Sequence, residues 1–438
     1  MTDIKRVKAR TLPGFMELLP DEQILFNKMY DSIRKSYEKF GFIPLDTPIL
    51  ESSEVLLAKA GGETEKQIYR FTKGDTDMSM RFDLTVPLAK YVAMNYGQLT
   101  FPFRRYQMSK VFRGERPQKG RYREFYQCDI DIIGDNELSI LNDAEIPSII
   151  YTTFKDLGFE KFVIRINNRK VLNGFFASLA LKENVSDILR IIDKLEKIGE
   201  EAVIECLKEL NIEESKIKDI VSFMKTDGTP TEIISALRKL NIENEDFIQG
   251  VEELEQVTNG VVAFGIPKDN FKIDLKIARG LDYYTGTVYE TMLTDYPGLG
   301  SVCSGGRYDN LAEYYTNKKL PGVGISIGLS RLYAYLTNEK VIEPKESTTA
   351  KVLVVPMVEN IDYVFKVAGK IRECDINTEV SYNRKTVKSM LNYANKLKIP
   401  YVVFIGDDEI NNNTITIKDM ESGEQQNIRL EEIQKYVK

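Results

Sequence analysis

The chain has 438 residues, 42% of them hydrophobic, which is typical of a globular protein with about two to four domains. No apolar run approaches the roughly 20 residues that a membrane helix needs, so we expect a soluble cytoplasmic protein without a membrane partner. The net charge of −6 argues against a protein that coats nucleic acid through bulk charge, and DNA is not an expected partner.

Histidine is absent from the chain, and the four cysteines lie far apart without a CxxC pair. The absence of histidine removes the commonest general base and the commonest zinc ligand. We therefore expect reduced thiols, no protein-only metal site, and a chemistry that depends on arginine, carboxylate, amide and tyrosine groups.

A helix is predicted over residues 21–40, where apolar side chains recur at helical spacing. Gly41, Pro44 and Pro48 predict the end of this helix and an extended segment after it. A second helix is predicted at residues 86–94, among short strands at 68–72, 79–83, 106–113 and 121–133. Short strands in succession predict a largely antiparallel sheet in an α+β domain.

The pattern changes near residue 183, where charged helical segments interrupt the strands. Strand patterns return later, and a polar stretch before residue 351 predicts a linker. Beyond it strands and helices alternate, which predicts an α/β domain with a mainly parallel sheet. The predicted division is a catalytic domain at 1–182 and 258–342, a helical insertion at 183–257, a linker at 343–350 and an α/β domain at 351–438.

An arginine-rich hairpin is predicted around a turn at residues 117–120, which would fold Arg113 back towards Arg121. Because side chains alternate along a strand, one face of the second strand is expected to carry Phe125, Gln127, Asp129 and Asp131. Guanidinium groups can bind two phosphate oxygens at once, and an aromatic ring can stack on a base. The hairpin therefore indicates a nucleotide site, although an ordinary salt-bridged hairpin would show the same pattern.

The order of these segments resembles the three signature motifs of class II aminoacyl-tRNA synthetases, at residues 41–50, 112–129 and 322–332. Two further segments, RGLDYYTG at 279–286 and CSGGRYD at 303–309, resemble those peculiar to histidyl-tRNA synthetases. The resemblance covers essentially the whole chain. It implies an α+β catalytic domain built on an antiparallel sheet, with a helical insertion, and a C-terminal α/β anticodon-binding domain.

The reaction that the resemblance implies activates histidine with ATP, giving histidyl-adenylate and pyrophosphate, and then transfers histidine to the 3' end of tRNA(His), with ATP and Mg2+ as cofactors. Arg113 and Arg279 are implied to lie on opposite sides of the α-phosphate as the catalytic pair. The other residues implied to bind ATP are Glu115 on the adenine side, Arg121, Phe125 stacked on the adenine and Arg331 at the outer phosphates.

For histidine, the resemblance assigns the ammonium group to Asp83, Thr85 and Gln127. The residues implied to surround the rest of the amino acid are Asp131 and Tyr284 beside the imidazole, Tyr283 nearby, and Arg279. For Asp83 and Thr85, a capped turn before the helix at 86–94 explains the sequence almost equally well.

Contacts with tRNA are implied in a loop of the second motif and a loop of the last domain. Their residues are Arg116, Gln118, Lys119, Arg384 and Lys385. The family forms homodimers through the first motif, and we expect Leu45, Ile49 and Leu50 to build such an interface here.

Two alternatives stay open at this point. A non-catalytic histidine-binding paralogue, such as a regulatory subunit of ATP phosphoribosyltransferase, would bind histidine without charging tRNA, but such proteins usually lack the final α/β domain and the key arginines. A class II synthetase for threonine, proline or glycine is the other alternative, and the RGLDYY segment argues against it. Two residues depart from the family pattern: Ser330 stands where an acidic residue often precedes Arg331, and Asp131 is shorter than the carboxylate of many relatives.

Overall fold

The computed structural model describes residues 7–58, 63–116, 120–192, 195–277, 284–359, 361–382 and 386–437. The chain divides into two compact units. The first is Met1–Met16 with Met29–Glu339, and the second is Glu17–Lys28 with Lys340–Lys438. Among the described residues, none of the helices combines the length and the apolar character needed to cross a membrane.

Helices and strands alternate irregularly up to residue 338. The helices are α1 (Pro20–Lys39), α2 (Ser53–Leu57), α3 (Glu63–Gln67), α4 (Thr85–Asn95), α5 (Leu141–Asp156), α6 (Arg169–Ser178), α7 (Val185–Ile192), α8 (Leu195–Ile198), α9 (Glu200–Glu209), α10 (Glu214–Met224), α11 (Pro230–Lys239), α12 (Glu245–Ala263) and α13 (Leu329–Asn338). The strands are β1 (Ile43–Pro44), β2 (Leu50–Ser52), β3 (Arg70–Lys73), β4 (Thr76–Met80), β5 (Phe103–Phe112), β6 (Glu124–Ile133), β7 (Phe162–Asn168), β8 (Phe271–Ile273), β9 (Thr287–Leu293), β10 (Ser301–Tyr308) and β11 (Gly322–Ile327).

The large sheet of the first unit has eight strands within the described residues, in the order β1-β5-β6-β11-β10-β9-β7-β8. The two outermost pairs, β1 with β5 and β7 with β8, are parallel, and all the pairs between them are antiparallel. β5 and β6 pair along their full length, from Phe103 opposite Ile133 to Phe112 opposite Glu124. The predicted largely antiparallel sheet is confirmed.

The first predicted helix is confirmed as α1. Its buried side chains recur every three or four residues and therefore share one face: Phe26, Met29, Ile33 and Tyr37. Gly41 follows with a φ of +74°, a left-handed conformation that glycine adopts without strain, so the chain can leave the helix there.

Helices α7 to α12 lie between β7 and β8 in sequence, and the last of them ends at Ala263. α12 packs against α5 and α6 through glycines. A Cβ atom at Gly250 would lie 2.6 Å from the backbone nitrogen of Val171, and one at Gly260 would lie 2.5 Å from the Cβ of Ala144. The backbones approach so closely that only glycine fits at these two positions.

The second unit is an α/β structure. Its elements after residue 351 are β12 (Val352–Pro356), α14 (Asp362–Glu373), β13 (Thr378–Val380), α15 (Val387–Leu397), β14 (Tyr401–Ile405), α16 (Asp407–Asn412), β15 (Thr414–Asp419) and β16 (Gln425–Arg429). They form a sheet in the order β13-β12-β14-β15-β16. β12, β13 and β14 are parallel, as the alternation of strands and helices predicts.

The expectation of a mainly parallel sheet is wrong for the last two strands, because β15 runs antiparallel to both β14 and β16. The chain between β15 and β16 is too short for a helical crossover, which parallel neighbours require. It turns instead through Gly423, whose φ is +77°. The sheet is therefore mixed.

Gly250→Ala is expected to destabilise the first unit by about 1–3 kcal/mol, because the added methyl group would overpack the contact between α12 and α6. Gly369→Ala in α14 is the control. Nothing lies within 4 Å of a Cβ at Gly369, so alanine there is expected to preserve or slightly raise stability. Urea denaturation followed by circular dichroism measures both variants, and an unchanged midpoint for Gly250→Ala would contradict the close packing.

Candidate active site

Two adjoining pockets lie on one face of the large sheet. The polar residues that line the inner pocket, of ≈ 310 Å³, include Asp83, Thr85, Asp129, Asp131, Tyr284 and Tyr308. The outer pocket, of ≈ 360 Å³, includes Glu115, Arg121, Phe125 and Arg331. Both pockets are lined by Arg113, Gln127, Ser304 and Ser326. A ligand in the inner pocket would therefore lie next to a ligand in the outer one.

Strand alternation builds the floor of both pockets. Phe125, Gln127, Asp129 and Asp131 of β6 all line them, so the predicted shared face is confirmed. The neighbouring strands β5 and β11 place their cross-strand partners on the same face. The pockets therefore have a rigid floor of paired strands rather than a floor of loops.

Asp131 is held from two sides in the inner pocket. The hydroxyl of Tyr308 donates a hydrogen bond of 2.7 Å to Asp131 Oδ1, and an Arg105 nitrogen, Nη2, lies 2.6 Å from Asp131 Oδ2. Burial raises the pKa of Asp131, while Arg105 and Tyr308 act in the opposite direction by stabilising its charged form. The carboxylate is thus fixed in position before any ligand arrives.

Two glycines of β11 make room for these groups. A Cβ at Gly324 would lie 2.3 Å from Asp131 Oδ1, and a Cβ at Gly322 would lie 2.4 Å from the ring of Tyr308. No other residue could occupy these positions without moving the side chains that they face. The small residues noted in the third motif therefore shape the pocket floor.

Asp83 stands at the entrance of α4, where its Oδ1 accepts a hydrogen bond of 3.0 Å from the backbone nitrogen of Val86. Burial raises the pKa of Asp83 to about 6, and the backbone hydrogen bond and the nearby Arg113 oppose that rise. The capped turn and the placement in a pocket are both observed. The two interpretations of Asp83 are therefore compatible, since Oδ1 caps the helix while the side chain lines the inner pocket.

Asp129 lies at the centre of the floor and has an exposed fraction of 3%. The hydroxyl of Ser326 hydrogen bonds to it, and the same hydroxyl oxygen accepts a hydrogen bond of 2.8 Å from Gln127 Nε2. Burial raises the pKa of Asp129 to about 7. Arg105 opposes this rise, whereas Asp131 and Asp83 add to it because like charges repel.

The outer pocket combines arginines with an aromatic ring. Arg113 donates a hydrogen bond of 3.0 Å from Nε to the backbone oxygen of Phe82, and its guanidinium carbon lies 5.1 Å from the centre of the Phe125 ring. Arg331 donates to the backbone oxygen of Leu299. These arginines lie where they could meet phosphate oxygens, next to a ring on which a base could stack.

Several predicted site residues lie outside the described part of the chain: Gln118, Lys119, Arg279, Tyr283, Arg384 and Lys385. Arg116 is described and exposed, and Arg121 lies 3.8 Å from Glu115 across the outer pocket. Tyr284 is half-buried and lines the inner pocket. The other predicted ATP and histidine residues all line one or both pockets.

Sequence reasoning missed four residues of the inner pocket and its surroundings, and it gave Asp129 no role. Tyr308 and Ser304 stand in the CSGGRYD segment, and Ser326 alternates with isoleucines in β11, so a strand pattern could have placed them on the pocket face. Arg105 gave no such signal. It belongs to a basic run, and only the folded structure reveals that it is fully buried beside Asp131.

Comparison with known proteins agrees with this architecture. The model of the histidyl-tRNA synthetase family matches residues 14–332, and the model of the anticodon-binding domain matches residues 351–438. Histidine–tRNA ligase of Clostridium tetani is 61% identical over 433 residues, which cover 99% of this chain and 98% of that protein. The enzyme of the same name from Clostridium acetobutylicum is 47% identical, over 98% of this chain and 99% of that protein.

Solved structures show the same fold. The crystal structure of histidyl-tRNA synthetase from Nostoc sp. PCC 7120 matches with a TM-score of 0.91 and 42% identity, over 99% of this chain and 100% of that one. An ATP phosphoribosyltransferase regulatory subunit/histidyl-tRNA synthetase from Bacillus halodurans C has a TM-score of 0.75, 89% and 97% coverage, and only 19% identity, so it shows the fold alone.

An antiparallel sheet that bears two adjoining pockets, together with an anticodon-binding domain, defines a class II aminoacyl-tRNA synthetase. The chain belongs to the histidyl-tRNA synthetase family. Identity of 61% along nearly the whole length favours the ligase over the non-catalytic paralogue and over a synthetase for another amino acid. The resemblance noted in the sequence is confirmed.

Tyr308→Phe is expected to raise the KM for histidine about 10- to 100-fold, because a hydrogen bond to a charged group contributes about 1.5–3 kcal/mol. Tyr363→Phe is the matched control, since its hydroxyl donates to the backbone oxygen of Thr414 in the second unit. Histidine-dependent exchange of pyrophosphate into ATP measures both variants. An equal KM in Tyr308→Phe and wild type would show that the Asp131 position does not depend on this phenol.

Proposed function

We propose that the inner pocket holds histidine, that the outer pocket holds ATP, and that histidyl-adenylate forms where the two pockets meet. The observation that supports this most directly is the set of residues shared by both pockets, which includes Arg113 and Gln127. The carboxylate of a histidine in the inner pocket and the α-phosphate of an ATP in the outer pocket would lie next to each other beside the Arg113 guanidinium. The tRNA then receives histidine from this adenylate.

The first step needs charge neutralisation more than proton transfer. A carboxylate oxygen of histidine attacks the α-phosphorus of ATP, and the bond from that phosphorus to the bridging oxygen of pyrophosphate breaks. The nucleophile is already ionised, so no side-chain base is required. Arg113 and Arg279, on opposite sides of the phosphate in this proposal, reduce the repulsion between the negative groups and stabilise the transition state.

ATP would be held by the remaining residues of the outer pocket. In this proposal Phe125 stacks on the adenine, Glu115 contacts its edge, and Arg121 and Arg331 bind phosphate oxygens. The described residues contain no group of three or more acidic or cysteine side chains suited to a metal ion. Mg2+ usually binds through phosphates, waters and one or two carboxylates, so it would arrive with ATP and neutralise phosphate charge.

Histidine would lie with its ammonium group near Asp83, Thr85 and Gln127. Its imidazole would meet Asp131 and Tyr284, with Tyr283 and Arg279 completing the site. Tyr308 and Arg105 fix the position of the Asp131 carboxylate, which supports this orientation. A carboxylate in a fixed position favours ligands whose hydrogen-bond donor lies within reach of it. An amino acid without ring nitrogens would bring no further donor to Asp131 and would lose this interaction.

In the second step the ribose hydroxyl of the terminal adenosine of tRNA(His) attacks the carbonyl carbon of the adenylate, and AMP leaves. We propose that a phosphate oxygen of the adenylate accepts the hydroxyl proton. The exposed Arg116 would contact the acceptor end together with Gln118 and Lys119. The chain contains no histidine that could accept that proton.

The second unit would contact the anticodon through Arg384 and Lys385. Two aromatic side chains in the same unit support this surface: Tyr382 is 70% exposed and Phe365 is 45% exposed, with ring centres 6.2 Å apart. Exposed aromatic rings suit the stacking of unpaired bases, and adjacent cations suit the RNA backbone.

We propose that the protein is a cytoplasmic enzyme with three domains and a linker. The catalytic domain comprises residues 1–182 and 258–342, the helical insertion 183–257, the linker 343–350 and the anticodon-binding domain 351–438.

Arg113→Ala is expected to lower the rate of histidine-dependent pyrophosphate exchange by about 100-fold or more, the usual effect of removing one donor that stabilises transition-state charge. Arg34→Ala, which removes a half-buried arginine of α1 paired with Glu38, is the control and should leave the rate unchanged. Wild-type protein without any exchange would refute the proposed activity. Full exchange in Arg113→Ala would refute only the place assigned to the reaction.

A homodimer through the first motif is also proposed. The exposed fractions of Ile43, Ile49 and Leu50 are 53%, 42% and 43%. Leu50 lies on β2 of a small three-stranded sheet, in the order β2-β4-β3, and Phe71 on β3 of that sheet is 42% exposed. Leu45 instead packs partly against the interior. Exposed apolar side chains concentrated on short strands of this kind are typical of a surface that a second subunit covers.

The double variant Ile49→Asp, Leu50→Asp is expected to weaken the dimer at least 100-fold, because two charges would be buried without partners. Leu240→Asp is the control, since Leu240 is 46% exposed on the helical insertion. Sedimentation equilibrium gives the dissociation constant of each protein. A dimer of equal strength in the double variant would place the interface elsewhere.

A further inference from the structure

Neither step of the proposed reaction uses Asp129, a carboxylate of the inner pocket. Asp129 stands on β6 between Gln127 and Asp131, and in the sheet it pairs with Gln107 of β5 and Ser326 of β11. It lines the inner pocket and is 3% exposed. A buried acid at the centre of a ligand pocket needs a partner for its charge.

The hydrogen bonding of Asp129 is incomplete. Ser326 hydrogen bonds to the carboxylate, but within the described residues Asp129 Oδ1 is buried without any donor. Gln127 Oε1, two residues earlier on the same face, is also buried without a donor among those residues. Asp131, by contrast, has a partner on each oxygen. Two acceptors without a donor among the described residues thus belong to side chains that line the same pocket.

Asp129 is surrounded by other charged and titratable groups. They come from several elements: Arg105 on β5, Cys128 and Asp131 on β6, Cys303 on β10, Tyr37 on α1, Asp83 before α4 and Arg81. Arg105 Nη2 is paired with Asp131 at 2.6 Å, and Arg105 Nε and Nη1 have no hydrogen-bond partner among the described residues. Arg81 donates to Lys110 and Thr47 backbone oxygens instead. The carboxyl groups of Asp83, Asp129 and Asp131 and the guanidinium of Arg113 line the inner pocket.

We propose that Asp129 Oδ1 binds the α-ammonium group of histidine, together with Gln127 Oε1, and so acts as a charge-selecting residue of the amino acid site. The ammonium carries a full positive charge and three donors, whereas imidazole near neutral pH is mostly uncharged. This assignment rests on the proposed placement of histidine in the inner pocket. Asp129 is then, beside Asp83, a carboxylate that distinguishes an amino acid from the same molecule without its amino group.

Proton competition follows from the same geometry. In the empty pocket burial raises the pKa of Asp129 to about 7. A protonated Asp129 has lost the charge that attracts an ammonium group, so lowering the pH from 8 to 6 should weaken binding of the cationic ligand. A bound ammonium favours the ionised form and therefore opposes this protonation.

Asp129→Asn tests the assignment with three ligands in isothermal titration calorimetry. Histidine and histidinol both carry the ammonium, whereas imidazolepropionate has the ring and the carboxylate without it. We expect dissociation constants for histidine and histidinol to rise about 10- to 100-fold, with imidazolepropionate unchanged, as for loss of a charge-assisted hydrogen bond. Equal weakening of all three ligands, or no weakening of histidinol, would overturn the proposal.

The pH profile adds a second readout. In wild type the affinity for histidinol should fall between pH 8 and pH 6 more steeply than in Asp129→Asn, since the charge of Asp129 is lost only in wild type whereas Asp83 titrates in both proteins. Identical slopes would count against the role of Asp129. The titration of the ligand's own imidazole affects both proteins equally and cancels in the comparison.

Folding is checked separately. Because the folded-state pKa of Asp129 is raised above its unfolded value, its ionised form disfavours the folded protein above about pH 7. Asp129→Asn should therefore unfold at pH 8 no earlier than wild type, and Asp129→Ser serves as a second variant with the same expected ligand pattern. Unaltered histidine affinity in both, with exchange still lost in Arg113→Ala, would reject this inference while leaving the proposed function intact.

Discussion

The guanidinium of Arg105 and the carboxylate of Asp131 lie 2.6 Å apart in the interior, where their exposed fractions are 0% and 3%. A buried pair of this kind adds little net stability, because both groups lose hydration, but removing one partner leaves an uncompensated charge. The pair joins β5 to β6 at opposed positions of the sheet. It therefore fixes the register of the two strands that form the floor of the pockets.

Several features of the inner pocket follow from this constraint. Asp131 is oriented by Arg105 and by the phenol of Tyr308, so space must be left for a carboxylate and a ring above β11. Gly322 and Gly324 leave that space. Arg105 pairs with Asp131 and also lowers the pKa of Asp129 through its charge, while Asp129 Oδ1 has no donor among the described residues. One ion pair thus decides which carboxylate is fixed and which is free for a ligand.

Patterns that depend on neighbours in sequence were predictable. Alternation placed Phe125, Gln127, Asp129 and Asp131 on one face, and helical spacing located α1. Features that depend on long-range pairing were not. Arg105 lies among several basic residues in the sequence, yet its partner in the structure is supplied by the opposite strand of the hairpin.

The same limit applies to the second unit and to the pocket walls. A strand pattern does not state its direction, so the antiparallel β15 and β16 were not distinguished from further parallel strands. Ser304 and Ser326 meet on adjacent strands, and their place in the pocket depends on the register of β10 with β11. Residue roles carried over from a family resemblance reached the pocket residues of the motifs but not Asp129.

A chain without histidine still has groups that titrate near neutral pH. Burial raises the pKa of Asp83 to about 6, and burial together with repulsion from Asp131 and Asp83 raises that of Asp129 to about 7, the range in which imidazole would ordinarily respond. Both carboxyls line the pocket assigned to the amino acid. A cation bound between them would favour their ionised forms, so that ligand binding would be accompanied by proton release. The binding of a cationic ligand would therefore depend on pH through the carboxyl groups of the inner pocket, because the ligand's positive charge and a proton compete for the same carboxylates.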